Sequence, residues 1–134
     1  MICRSVEGAR LNKPNDLAFG PDGNLVFTCP GDSRTEPTGY VCVRTPDNEI
    51  HTIAENLFFP NGLVFTPDGR ELIVAETYRQ RLWKGEWEPT AATWRDPSIW
   101  AAGLNADPGP DRMTFTTDGT LFMAVFGGRD SPPE

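Results

Sequence analysis

A recurring phrase constrains this chain more than any other feature. "PNDLAFGPDGNLVFT" begins at Pro14, "PNGLVFTPDGRELIVA" at Pro60 and "PDRMTFTTDGTLFMAV" at Pro110. Each places a proline and an Asn or Asp ahead of an apolar run, then an Asp-Gly turn, then a second apolar run. Pro14 and Pro60 are 46 residues apart, Pro60 and Pro110 are 50 apart, and the turns Asp22-Gly23, Asp68-Gly69 and Asp118-Gly119 keep both spacings. A period of about 40 to 50 residues marks an array of small stacked sheets, such as propeller blades, and not one continuous core.

Within a period the pattern predicts four strands. Residues 16–28 read as a hairpin written in its usual turn residues. "GYVCVRT" (39–45) and "EIHTIAENL" (49–57) then alternate apolar and polar positions around the turn "TPDN". The second unit continues as "GLVFT", "ELIVAE", "QRLWKGEW" and "TWRDPSIW", with Pro89 and Pro97 confining its later strands to edge-like places. The third stops after "RMTFT" and "TLFMAVFGG", and "ICRSVEGAR" reads as a single stray strand. The expected class is therefore all-β: a partial β-propeller over 1–128, about two and a half four-stranded blades, followed by a disordered, proline-rich tail over 129–134. Closed propellers typically take four to eight blades, so one copy cannot close a ring.

Charge and cysteine usage narrow the partners. With 12 Lys and Arg against 19 Asp and Glu, the net charge of −7 argues against nucleic acid or an anionic membrane surface. No apolar run approaches the roughly 20 residues needed to cross a bilayer, and the first ten residues carry no secretory h-region, so the expected compartment is the cytoplasm. Cys3, Cys29 and Cys42 have no C-x-x-C spacing and are read as reduced packing thiols.

Asn15, Asn61 and Asp111 stand at matched places just before the first strand of successive units. The first strand of a blade lies nearest a propeller's axis, so these side chains should rim one mouth of the channel. Two amide oxygens and a carboxylate, without sulfur or imidazole, suit a hard cation such as Ca²⁺, Mg²⁺ or Mn²⁺. Local backbone bonding by turn Asn and Asp is the competing explanation, and it accounts for Asp22, Asp68 and Asp118.

The segments "LNKPNDLAFGPDGNLVFT", "FPNGLVFTPDGRELIVAETYRQRLW" and "GPDRMTFTTDGTLFMAVFGG" resemble the gluconolactonase-like family that includes senescence marker protein 30 and luciferin-regenerating enzyme. The likeness runs from about Gly8 to Gly128. It implies a six-bladed propeller that hydrolyses sugar-acid lactones or related esters with one divalent metal, Ca²⁺ before Zn²⁺, Mn²⁺ or Mg²⁺. Under it, Asn61 and Asp111 match metal ligands, Asp111 also matches the proposed general base, and Asn15 matches a residue that contacts substrate. The partner implied is a small lactone or ester. The family's further metal-binding Glu belongs to a first blade that these residues do not supply; Glu7 lies in the wrong segment. The expectation is therefore a truncated or incomplete version of such an enzyme, with a missing-blade partner or a second copy of the chain as its protein partner; a non-catalytic or homodimerising half-propeller binding module is the alternative.

The remaining polar and aromatic residues read as structure. His51 falls on an outer strand, as a surface or edge residue. Trp83, Trp87, Trp94 and Trp100 gather in the second unit, where packing between blades explains them. The arginines of "TYRQRLW" read as surface rim. No G-x-S-x-G elbow or H-E-x-x-H motif is present, so a serine-hydrolase triad and a zincin site lack support.

Overall fold

The turns set the sheets. Asp68 accepts from the hydroxyl of Thr66 at 2.7 Å and from the N–H of Arg70 at 3.0 Å, and Gly69 takes the left-handed conformation (φ 75°) that completes the turn. Thr116, Asp118 and Gly119 (φ 88°) repeat the arrangement. These aspartates serve turn geometry, as expected.

The computed structural model describes residues 5–6, 9–104 and 108–127. Cys3, Glu7 and the expected tail over 129–134 lie outside the described residues. Among those described, the strands are β1 (Ser5–Val6), β2 (Ala9–Arg10), β3 (Leu17–Phe19), β4 (Leu25–Cys29), β5 (Gly39–Arg44), β6 (Ile50–Leu57), β7 (Pro60–Phe65), β8 (Glu71–Glu76), β9 (Arg81–Glu88), β10 (Thr93–Ala101), β11 (Pro108–Phe115) and β12 (Leu121–Gly127). β3 to β6 form one antiparallel four-stranded sheet in sequence order, β7 to β10 a second, and β11–β12 a two-stranded third. The expected stray strand is instead a small pair, with Ser5 opposite Arg10 and Val6 opposite Ala9.

Packing follows from strands that are apolar on both faces. On β8, Leu72 and Val74 turn toward the first sheet, where they join Val26, Val41, Val43 and Leu57. Ile73 and Ala75, one residue out of phase, turn toward β11–β12 and meet Met113, Phe115, Leu121 and Met123. Burying each such aliphatic side chain contributes roughly 1.5 to 3 kcal/mol, so the sheets are held by their faces and not by their edges. Trp87 and Trp94 lie in the core between the first two sheets, with Trp83 packed against it and the indole N–H of Trp94 donating to the Leu72 carbonyl at 3.0 Å. Trp100 departs from that set: it is 46% exposed, with the Lys84 ammonium 4.5 Å from its ring centre. His51 is half-buried on β6, its Nε2 3.1 Å from the Ala92 carbonyl of the second sheet.

Candidate functional site

The innermost strands β3, β7 and β11 follow one another through the array, and each carries the same irregularity. On β7, Pro60 pairs with Glu76 and Leu63 with Val74, so Asn61 and Gly62 together face Ala75. On β11, Pro110 pairs with Val125 and Met113 with Met123, so Asp111 and Arg112 face Ala124. Ahead of β3, Asn15 donates its N–H to the Thr28 carbonyl and Thr28 donates its own to the Asp16 carbonyl, both at 2.9 Å. Two residues thus oppose one at three equivalent places. Such a bulge bends the strand and re-aims a side chain, which a regular ladder would not do. Asn61 and Asp111 consequently sit inside strands, and not just ahead of them as expected from the sequence.

Successive bulges touch. A Cβ built on Gly62 would lie 1.9 Å from the Asp111 carbonyl oxygen and 2.7 Å from the Cα of Arg112. The glycine of Pro60-Asn61-Gly62 is therefore required by the approach of the next inner strand. Two threonines stitch successive seams: Thr28 donates its hydroxyl to the Asn61 carbonyl at 2.9 Å between the first and second sheets, and Thr77 donates to the Pro110 carbonyl at 2.6 Å between the second and third. Thr28 and Thr77 are both fully buried, and neither was singled out from the sequence, although each follows the apolar run of its unit's second strand.

The three expected site residues differ in surroundings. Asn61 is 4% exposed, and its Oδ1 has no hydrogen-bond partner among the described residues. Asp111 is half-buried on the neighbouring strand. Burial pushes its carboxyl above the ordinary carboxylate value, Arg112 pulls it down, and the charge of Asp16 pushes it up again. Asn15 is exposed and borders a hollow of about 220 Å³ with Leu17, Leu25 and Phe27, on the side of the first sheet turned away from the second. The backbone thus joins Asn61 to Asp111, while the electrostatic link from the first unit comes through Asp16. Asp16 carries no repeat signal of its own, because its place is that of Gly62 and Arg112, the second bulge residue, where the three units share no residue type.

A divalent cation fits what Asn61 and Asp111 offer. An amide oxygen buried without a donor costs free energy that a cation would recover, and a carboxylate held above its usual pKa by burial is one that positive charge would stabilise. Both are hard oxygen donors. Among the described residues no group of three His, Cys, Asp or Glu side chains is placed to hold a metal.

Two further polar groups support the seam. Glu76, 1% exposed, accepts from the Phe58 N–H at 2.7 Å, from Arg81 Nε at 2.7 Å and from Trp83 Nε1 at 2.8 Å. It fixes the loop that delivers Asn61. Arg81 is therefore the partner of a buried carboxylate and not a rim residue, whereas Arg79 does lie exposed over the Phe58 ring. Cys29 and Cys42 are buried beside Phe27, with Cys42 Sγ 3.9 Å from Thr52 Oγ1, in keeping with a packing role.

Comparison with known proteins agrees with this architecture. The family profile described as SMP-30/Gluconolactonase/LRE-like region matches residues 1–130. The chain is 32% identical to diisopropyl-fluorophosphatase of Loligo vulgaris, over 90% of this chain and 43% of that protein. It is 29% identical to a gluconolactonase of Zymomonas mobilis, over 96% of this chain and 40% of that protein. The solved structure of a gluconolactonase from Xanthomonas campestris superimposes with a TM-score of 0.76 at 26% identity, covering 92% of this chain and 44% of that one. The chain thus spans less than half the length of these relatives. Its all-β sheets are about two and a half four-stranded blades of a six-bladed propeller architecture. With three inner strands bulged at equivalent positions and a profile match across nearly its whole length, the chain belongs to the SMP-30/gluconolactonase/LRE-like family.

Proposed function

We propose that this chain carries part of the active centre of a metal-dependent hydrolase that opens sugar-acid lactones or related esters. The observation that carries the reading is the backbone contact between the bulges of Asn61 and Asp111, with the Asn61 amide oxygen buried beside it and without a hydrogen-bond partner among the described residues. The named activities of the gluconolactonase relatives support the reaction class.

In this reading Asn61 and Asp111 hold one divalent cation, Ca²⁺ by preference, since both donors are hard oxygens. The cation, when bound, supplies Lewis-acid polarisation of the lactone carbonyl. Asp111 acts as general base: its carboxylate takes a proton from water as the water oxygen bonds to the carbonyl carbon. The ring C–O bond then breaks, and the proton passes to the departing ring oxygen to give a hydroxy acid. A carboxylate kept basic by partial burial suits that task better than one in bulk solvent. Asn15, exposed at the end of the array, donates its amide to substrate oxygens. Asp16 is a positioning residue, keeping Asp111 basic through charge.

Two measurements on the purified chain test this. Glucono-lactone opening, followed by acid release, should stop with a chelator, return with Ca²⁺, and be lost in Asp111→Asn. Heat denaturation should move upward with added Ca²⁺ in the wild type and not in Asn61→Ala. Activity retained by Asp111→Asn, or a midpoint indifferent to Ca²⁺, Mn²⁺ and Zn²⁺ alike, would overturn the proposal.

A further inference from the structure

One packing arrangement is used twice inside this chain. Leu63 and Phe65 of β7 face the first sheet, and Met113 and Phe115, at the same repeat positions on β11, face the second. The receiving side repeats as well: Ala18 of β3 packs in the first seam as Val64 of β7 packs in the second. At each end of the array, one half of this arrangement is bare. Leu17 and Phe19 hold the repeat positions of Leu63 and Phe65, yet they are 53% and 70% exposed where Leu63 is 3%. At the other end Phe122 sits opposite Thr114 as Ile73 sits opposite Val64, and it is 58% exposed where Ile73 is fully buried.

The two bare surfaces are opposite halves of an interface the chain already builds twice. We propose that they dock on each other between two copies of this chain, head to tail, closing a ring. Strand number agrees with closure. The described residues form a two-stranded pair, two four-stranded sheets and a second two-stranded pair, and β12 has a partner on one side only. When β12 of one copy pairs with the β1–β2 pair of the other, every sheet has four strands and two copies make six sheets, the number in the family's closed ring. Pairing also removes an apolar edge strand, "LFMAVFG", whose backbone would otherwise invite uncontrolled association. A heterologous contact of this kind ends in a closed assembly only when the rotation per copy divides a full turn, and half a turn does so. The docking stands on sheet geometry and holds whether or not the chain opens lactones.

Light scattering and sedimentation of the purified chain at micromolar concentration test the inference. A single species of twice the 14.8 kDa chain mass is expected. Phe19→Glu and Phe122→Glu, each at an exposed position, should both run as monomers with unchanged circular dichroism, and Leu17→Glu should behave as Phe19→Glu does. Mixing Phe19→Glu with Phe122→Glu in equal amounts should restore a dimer, because each variant keeps the surface that the other lacks. A self-complementary contact would not be rescued in this way. A wild-type monomer, a spread of undefined aggregates, a dimer untouched by the substitutions, or a mixture that remains monomeric would each overturn it.

Discussion

Gly62 occupies the one place in the second inner strand where the carbonyl oxygen of Asp111 leaves no room for a side chain: a Cβ there would lie 1.9 Å from it. The obstacle is backbone and cannot rotate away. Gly62→Ala should therefore push the inner strands apart, destabilising the chain by about 2 to 3 kcal/mol in urea unfolding, as overpacking of a close contact does. Gly119→Ala is the control. Nothing lies within 4 Å of a Cβ there, and only its left-handed backbone (φ 88°) resists, so about 1 kcal/mol is expected.

The raised pKa of Asp111 carries a pH dependence whose sign is fixed. Partial burial favours the neutral acid in the folded chain over the unfolded one. Its contribution to stability is then complete below the unfolded carboxylate pKa and is lost as pH rises through the higher folded value. In chelator, the melting temperature of Asp111→Asn should exceed that of the wild type near neutral pH and converge with it at about pH 3. Asp16→Asn should narrow the same gap, since the Asp16 charge is one cause of the shift. Added Ca²⁺ should reverse the order, with the wild type the more stable. A gap that is constant across pH would mean that the Asp111 carboxyl is not the titrating group.

How much of this was legible beforehand follows from the kind of force involved. The sheets were, because hydrophobic alternation and Asp-Gly turns are local signals: the strands from β3 to β12 fall where Leu17, Leu25, Val41, Ile53, Leu63, Leu72, Trp83, Trp94, Met113 and Leu121 placed them. The repeated Asn and Asp were legible as equivalents because period needs no coordinates. Their seating in bulges was not. A bulge is a register event between two strands, and nothing in Pro60-Asn61-Gly62 alone states that Ala75 will face two residues. Glu76 was overlooked for a related reason. Its partners Phe58, Arg81 and Trp83 come from a loop and a neighbouring strand, so its burial is invisible in the exposed-looking stretch "AETYRQ".

Glu76 tests that loop's dependence on one carboxylate. Glu76→Ala removes the acceptor of three donors at once and leaves the Phe58 N–H and the Trp83 indole without it, at a cost of about 3 kcal/mol in chemical unfolding. Glu76→Gln keeps the shape and two acceptor bonds, so about half that loss is expected. Because the loop leads directly into Pro60 and Asn61, both variants should weaken any Ca²⁺-induced shift in melting, Glu76→Ala the more strongly. An unaltered Ca²⁺ response in Glu76→Ala would separate the loop from the site.

The two seams between successive sheets should respond in parallel, each to its own threonine. Thr28 on β4 and Thr77 just after β8 each donate a hydroxyl to a backbone carbonyl at or directly before the bulge of the next sheet, at 2.9 and 2.6 Å. Valine fills the same volume without the hydroxyl, so Thr→Val leaves the packing and removes the hydroxyl's bonds, which at Thr28 include acceptance from the Asp16 N–H at 3.2 Å as well as donation to Asn61. A buried carbonyl losing its donor costs about 1 to 3 kcal/mol, and Thr77→Val should lie toward the upper end because its bond is the shorter and its acceptor, Pro110, directly precedes Asp111. Thr28→Val removes the donor to Asn61's own carbonyl, and so should loosen the other half of the same centre. Urea unfolding of the two single variants and the double variant is the check. If the sheets act as one cooperative unit through these seams, the double loss should depart from the sum of the single ones by more than about 0.5 kcal/mol. Strict additivity would show that each seam holds independently, and that Asn61 and Asp111 are joined only through Gly62.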